Sequence, residues 1–181
     1  VNMVNIVANG GSWMPPKLFA GQRNVGSIQL PLNREFLERI KSGMVAVVNE
    51  PGGTAGSVRN EDFIIAGKTA TSQVVSHETL ENMEEEEREE RDLQNHGWFV
   101  SFAPEEDPEI SVVVLVEHGG AGSRAAAPIA RKIMEFYYNN IYLPRMQAQS
   151  QPLAIPSEIN PSYRLQLESA FVQSRNFVFE N

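Results

Sequence analysis

The chain predicts an α+β domain in which an antiparallel sheet is flanked by helices. Three observations carry that expectation. Asp62 to Ser76 (DFIIAGKTATSQVVS), Trp98 to Ala103 (WFVSFA) and Ile110 to Glu117 (ISVVVLVE) are rich in β-branched, aromatic or hydroxyl-bearing residues that suit a pleated strand. Pro104-Glu105-Glu106-Asp107-Pro108 joins the last two and is short enough for a hairpin, so those strands should run antiparallel. Apolar residues then recur at helical spacing on both sides of the strands, at Phe36, Leu37, Ile40, Met44 and Val47 and again at Ile129, Ile133, Met134 and Tyr137.

The first element is a helix over Val1 to Ala8, stopped by Asn9-Gly10-Gly11. Trp13 to Phe19 holds Pro15-Pro16 and reads as extended or looped. Ser27 to Leu32 is a short strand that Pro31 confines to an edge or an end. Asn33 to Val48 is a helix with Asn33 as its N-cap, and Pro51-Gly52-Gly53 ends it. Thr54 to Asn60 is a small polar loop leading into the central strand. After that strand, the run MEEEEREERD has strong helix formers but no apolar stripe, and reads as a solvated helix or an excursion between two strands. His118-Gly119-Gly120-Ala121-Gly122 breaks the last strand, and Ala125 to Tyr138 is a helix whose alanines permit close approach to a sheet. Residues 1–143 are thus the structured portion. Residues 144–181 read as a Pro/Gln/Ser-rich, largely irregular tail with one short helix over Tyr163 to Phe171.

Composition narrows the function. The 181 residues suffice for one domain with a real core, and no apolar run reaches the length of a membrane span. With no cysteine, disulfides and thiolate metal sites are excluded. The net charge of −8 is concentrated: Glu81 to Asp92 holds eight acidic residues and two arginines, a net of −6, and leaves −2 elsewhere. No basic stripe suited to nucleic acid is present. The chain starts at Val1 rather than Met, which reads as a piece of something longer.

Chemistry concentrates at Lys68 to Ser72. Successive strand residues point to opposite faces, so Thr69 and Thr71 share one face while Lys68 and Ala70 share the other. A strand edge with two hydroxyls, an ammonium and free N–H groups suits a carboxylate. Gly67-Lys68-Thr69 also ends like a P-loop, but the first glycine of that motif would fall at Asp62, and a strand rather than a flexible loop precedes it. His77, His96 and His118 have no metal-ligand spacing and sit beside strand ends, where a hydrogen-bonded structural role is expected. The acidic run lacks the glycine of an EF-hand loop. Neither a metal nor a cofactor is expected.

In order, the segments GKTATSQV, NHGWFVSFAP, PEISVVVLVEHGGAG and AAAPIARKIMEF resemble the transpeptidase domain of class B penicillin-binding proteins, elongation type, over roughly Val1 to Tyr138. The resemblance implies the C-terminal part of a β-lactamase-like transpeptidase fold. It implies a serine D,D-transpeptidase that cross-links peptidoglycan stem peptides and is acylated by β-lactams, through the motifs S-x-x-K, S-x-N and K-T-G. Lys68 and Thr69 match the third motif. By that match Lys68 supplies positive potential and orders the second motif's loop. Thr69 and Thr71 bind the terminal carboxylate, and the Thr71 backbone N–H is an oxyanion donor. Localisation at the periplasmic face of the inner membrane, and partners among cell-elongation proteins, are likewise implied.

Two departures stand out. The motif's glycine is Ala70, whose methyl is expected to crowd the site or to be accommodated by its neighbours, and Ser72 stands where the pattern usually has Ala. No S-x-x-K occurs, and Ser174-Arg175-Asn176 fits S-x-N only by letter, after the third motif. The nucleophile serine is therefore expected upstream, in the remainder of the parent, and this chain alone should be inactive. The alternative is a non-catalytic scaffolding module of the cell-wall machinery, favoured by Ala70 and the acidic run. A sheet face normally covered by the missing part should make the isolated chain self-associate.

Overall fold

The computed structural model describes residues 1–19, 21–23, 25–75, 79, 82–85 and 94–150. Most of the acidic run, His77, the helix expected over Tyr163 to Phe171 and the Ser174-Arg175-Asn176 triplet lie outside the described residues.

Residues Val1–Glu135 form the first of two compact units. Helix α1 (Asn2–Ala8) buries Val4 and Ala8 and ends at Asn9, with Gly10 and Gly11 following at positive φ. Strand β1 (Ser12–Trp13) pairs antiparallel with β2 (Ile28–Gln29) in a small ribbon, so Trp13, which opens the segment expected to be extended or looped, is extended. Helix α2 (Arg34–Asn49) starts where expected: the Asn33 side-chain oxygen accepts from the N–H groups of Glu35 at 2.9 Å and Phe36 at 3.4 Å, satisfying donors that a helix start leaves open.

The central sheet has the order β3 (Ala66–Ser72), β4 (His96–Ala103), β5 (Ile110–Val116), all antiparallel, which is the predicted pairing. Strand β3 covers only part of the run from Asp62 that suits a strand. At its start Ala66 pairs with Phe102, and the next position on β4, Ala103, is the last before the Pro104 turn, so the ladder runs out of partner. Phe63 and Ile65 are nonetheless buried on either side of an exposed Ile64, so strand-like alternation extends past the ladder. Ser101 sits fully buried in the central strand and is satisfied by donating its hydroxyl to Val112 O at 3.1 Å.

The sheet is covered on both faces. Ala66 and Phe102 join Val4, Ala8 and Met44 in one buried cluster, which seats α1 and α2 on the face that carries Lys68 and Val100. On the other face α3 (Gly122–Ala125) lies against β4: a Cβ on Gly122 would overlap the Trp98 carbonyl, and only glycine permits that approach. The single helix expected over Ala125 to Tyr138 is interrupted at Ala126, and α4 (Ala127–Tyr137) follows, with Ala127, Ala130 and Met134 buried. Glu135 on α4 accepts from Asn60 at 3.1 Å and from Arg131 at 2.7 Å, fixing the loop after α2 to this helix.

The second unit begins at Phe136. A π-helical turn (Tyr138–Tyr142) runs into α5 (Leu143–Ser150), so residues 144–150 of the tail expected to be irregular are helical, and the rest of that tail lies outside the described residues. Pro144 occupies the first turn of α5, where a missing N–H costs little, and Arg145, Met146, Gln147 and Ala148 are good helix formers. Proline read as a breaker is therefore an initiator at this position.

Candidate functional site

The site residues are presented by β3, an edge strand, and the phase of the ladder decides what its edge offers. Ser101 Oγ reaches Val112 O, and Glu109 N donates to Ala103 O at 3.0 Å, so the odd-numbered residues of β4 turn their backbone groups toward β5. Its even-numbered residues, His96, Trp98, Val100 and Phe102, then bond β3 through Ser72, Ala70, Lys68 and Ala66. Gly67, Thr69 and Thr71 are left with N–H and C=O aimed at the open edge. Two contacts agree with this phase. Lys68 Nζ donates to Thr69 O at 2.6 Å, and Asn49 Nδ2 donates to Ile65 O at 2.9 Å.

Side chains follow the expected alternation. Lys68 is exposed and lies over the α1–α2 face, where it borders an open groove of about 480 Å³ lined by Val4, Val7, Ile40, Met44 and Val100 among others. Among the described residues no carboxylate lies within 4.0 Å of its ammonium. Thr69 and Thr71 project on the opposite face, Thr69 half-buried and Thr71 exposed. The structure thus brings an ammonium, two hydroxyls and the Thr71 N–H to one strand edge, reachable from both faces of the sheet. Chemically this can hold an anion and polarise a carbonyl. The sequence supplies no S-x-x-K to this edge.

Gly67 is part of this geometry. A Cβ there would overlap the ring of Phe99, which is fully buried beneath it. Gly67-Lys68-Thr69 is extended strand, unlike a phosphate-wrapping loop. Ala70 is exposed, so its methyl finds room among the described residues, and Trp98 opposite it donates its indole N–H to Ser72 Oγ at 3.0 Å. His96 and His118 pair structurally, with rings 4.9 Å apart, and His96 Nδ1 accepts from the His118 N–H at 3.0 Å. That bond supports the turn after β5, where His118 adopts φ 51°.

Sequence reasoning missed two residues beside the edge. Asn49 closes α2 by donating to Val45 O at 2.8 Å and also ties the helix to Ile65. Thr54, read as part of a polar loop, places its Oγ1 2.9 Å from Thr69 Oγ1. The nearest sequence signal was Gly53: a Cβ there would overlap the carbonyls at the end of α2, so the loop must fold tightly back onto the helix.

The profile of the penicillin binding protein transpeptidase domain matches residues 1–135. Peptidoglycan D,D-transpeptidase MrdA of Haemophilus influenzae is 36% identical over 117 residues, which are 64% of this chain and 18% of that protein. The Escherichia coli protein of the same name is 34% identical over 113 residues, 60% of this chain and 18% of its own length. The chain therefore spans about a fifth of these relatives. Among solved structures, Pseudomonas aeruginosa PBP2 in complex with WCK 5153 superposes with TM-score 0.56 at 28% identity, covering 77% of this chain and 29% of that one. PBP2 of Helicobacter pylori, in a complex with MreC, gives TM-score 0.59 at 27% identity, with 77% and 24% covered.

Proposed function

Since the chain belongs to the penicillin-binding protein transpeptidase family, we propose that β3 is the carboxylate-binding and oxyanion strand of a peptidoglycan D,D-transpeptidase. The observation that carries this reading is the free edge itself, which aligns Lys68, Thr69 and the Thr71 N–H on one side of a rigid, doubly covered sheet.

In the complete enzyme a serine supplied by another part of the protein attacks the penultimate D-Ala carbonyl of a stem peptide. The carbonyl oxygen gains negative charge, which the Thr71 N–H stabilises from the strand edge. The serine gives up its proton, the terminal D-Ala leaves as the protonated amine, and the amine of a second stem peptide then displaces the serine. Thr69 and Thr71 hold the terminal carboxylate through their hydroxyls, and Lys68 adds the positive potential that draws it in. A β-lactam presents its own carboxylate to the same groups. Such an enzyme works at the periplasmic face of the membrane. The MreC complex of the Helicobacter protein supports a partner of that kind for the parent of this chain. Taken alone, the chain is inactive and self-associates through the groove beside Lys68.

The test is intact mass after incubation with a penicillin, first with this chain, then with this chain mixed with the remainder of its parent. The expected result is no adduct on the chain alone and an adduct on the remainder in the mixture. No adduct in the mixture, with both parts folded, would favour a non-catalytic scaffolding module. An adduct on this chain alone would overturn the assignment of the nucleophile elsewhere.

A further inference from the structure

We propose that Thr54 is a positioning residue for anion recognition: its hydroxyl donates to Thr69 Oγ1 and so turns Thr69's own proton toward the open edge of β3. The inference rests on the reading of that edge as a carboxylate site and adds a residue outside it. The two oxygens lie 2.9 Å apart, within O–H···O range, and either could donate in the free protein. A threonine hydroxyl has one proton and two lone pairs. If Thr69 donates to Thr54, its proton is spent on a neighbour and a lone pair faces the incoming carboxylate, which repels it. If Thr54 donates to Thr69, the Thr69 proton is released for the carboxylate, and the chain of two hydrogen bonds polarises in the favourable direction. An anion at the edge selects the second arrangement.

The surroundings hold Thr54 where this requires. Ala55 N donates to Val47 O at 3.0 Å and Gly53 N to Glu50 O at 3.1 Å, clipping the loop onto the end of α2 on both sides of Thr54. Ala55 is fully buried, which anchors the next residue. On the strand side, the Asn49–Ile65 bond fixes the start of β3 to the same helix end. Thr54 and Thr69 therefore belong to one rigid corner formed by α2, its following loop and β3, and both are β-branched and stiff at χ1.

The test uses the complete parent enzyme, with acylation rates measured for a penicillin bearing its free carboxylate and for the methyl ester of the same penicillin. Thr54→Val keeps shape and removes the donor, and Thr54→Ser keeps the donor. The expected result for Thr54→Val is a fall of about tenfold with the free acid, since the Thr69 hydroxyl loses the hydrogen bond that aims its proton at the carboxylate, and less than about twofold with the ester. Thr54→Ser should retain the free-acid rate within about threefold. A purely structural role would lower both substrates together, and an equal fall, or none, overturns the proposal. A wild-type enzyme acylated at the same rate by the acid and by the ester would instead overturn the carboxylate-site reading on which it rests.

Discussion

Gly67 shows how strictly the site strand is specified at the scale of one residue. The Phe99 ring occupies the space a Cβ would need, and it is itself enclosed on all sides. Gly67→Ala must push that ring off its rotamer or lift the strand, at a cost of about 1–3 kcal/mol. Denaturant titration of the two forms measures it, and an unchanged midpoint would mean the ring swings aside freely. Neighbouring Ala70, where the motif has glycine, faces no such wall and stays exposed. The alternation of Lys68 and Ala70 against Thr69 and Thr71 was legible because a strand's period of two depends only on the strand being there. The bond between Thr54 and Thr69 was not, since it joins residues fifteen apart through a loop whose path the sequence leaves open.

Among the elements, α2 does most to place the edge. Its N-cap and its apolar spacing were readable in the sequence, being local properties of a dozen consecutive residues. Its last residue was not. Asn49 divides its amide between its own helix and Ile65, sixteen residues on, a job that exists only in three dimensions. Asn49→Ala should cost about 1–2 kcal/mol by leaving a partly buried strand carbonyl unmet. Thermal unfolding reads the loss, and Asn49→Asp should not restore it, because the carboxylate cannot donate. The sheet order came through from the strand runs and their short connection. The strand limits did not, because where β3 stops is set by where β4 turns. Helix α5 was hidden by counting prolines without weighing their position: Pro144 starts a helix, and only an interior proline would stop one.

For the molecule as a whole, the groove beside Lys68 is the feature with the widest reach. Its walls are almost wholly apolar, and Met3 and Ile40 on its rim are at least half exposed. An apolar recess of this kind favours association, so the isolated chain should sediment as a dimer or larger species, shifting toward monomer on dilution. A clean monomer at all concentrations would count against the groove as a contact surface. The expected uncovered sheet face is not what the structure shows: α1 and α2 lie over that face and leave this groove open. Which residues line the groove, and that Lys68 stands at its margin, emerged only with the packing of α1 and α2.

That placement of Lys68 sets two equilibria against each other. If the rest of the proposed enzyme packs over this groove, each molecule caught in a homodimer there is withdrawn from reconstitution. By mass action, raising the concentration of this chain raises its free monomer only as about the square root, so recovery of penicillin binding rises less than in proportion, whereas it rises in full proportion to its complement. On the proposed reading, the cation that draws in the substrate carboxylate also stands at the boundary of that contested surface.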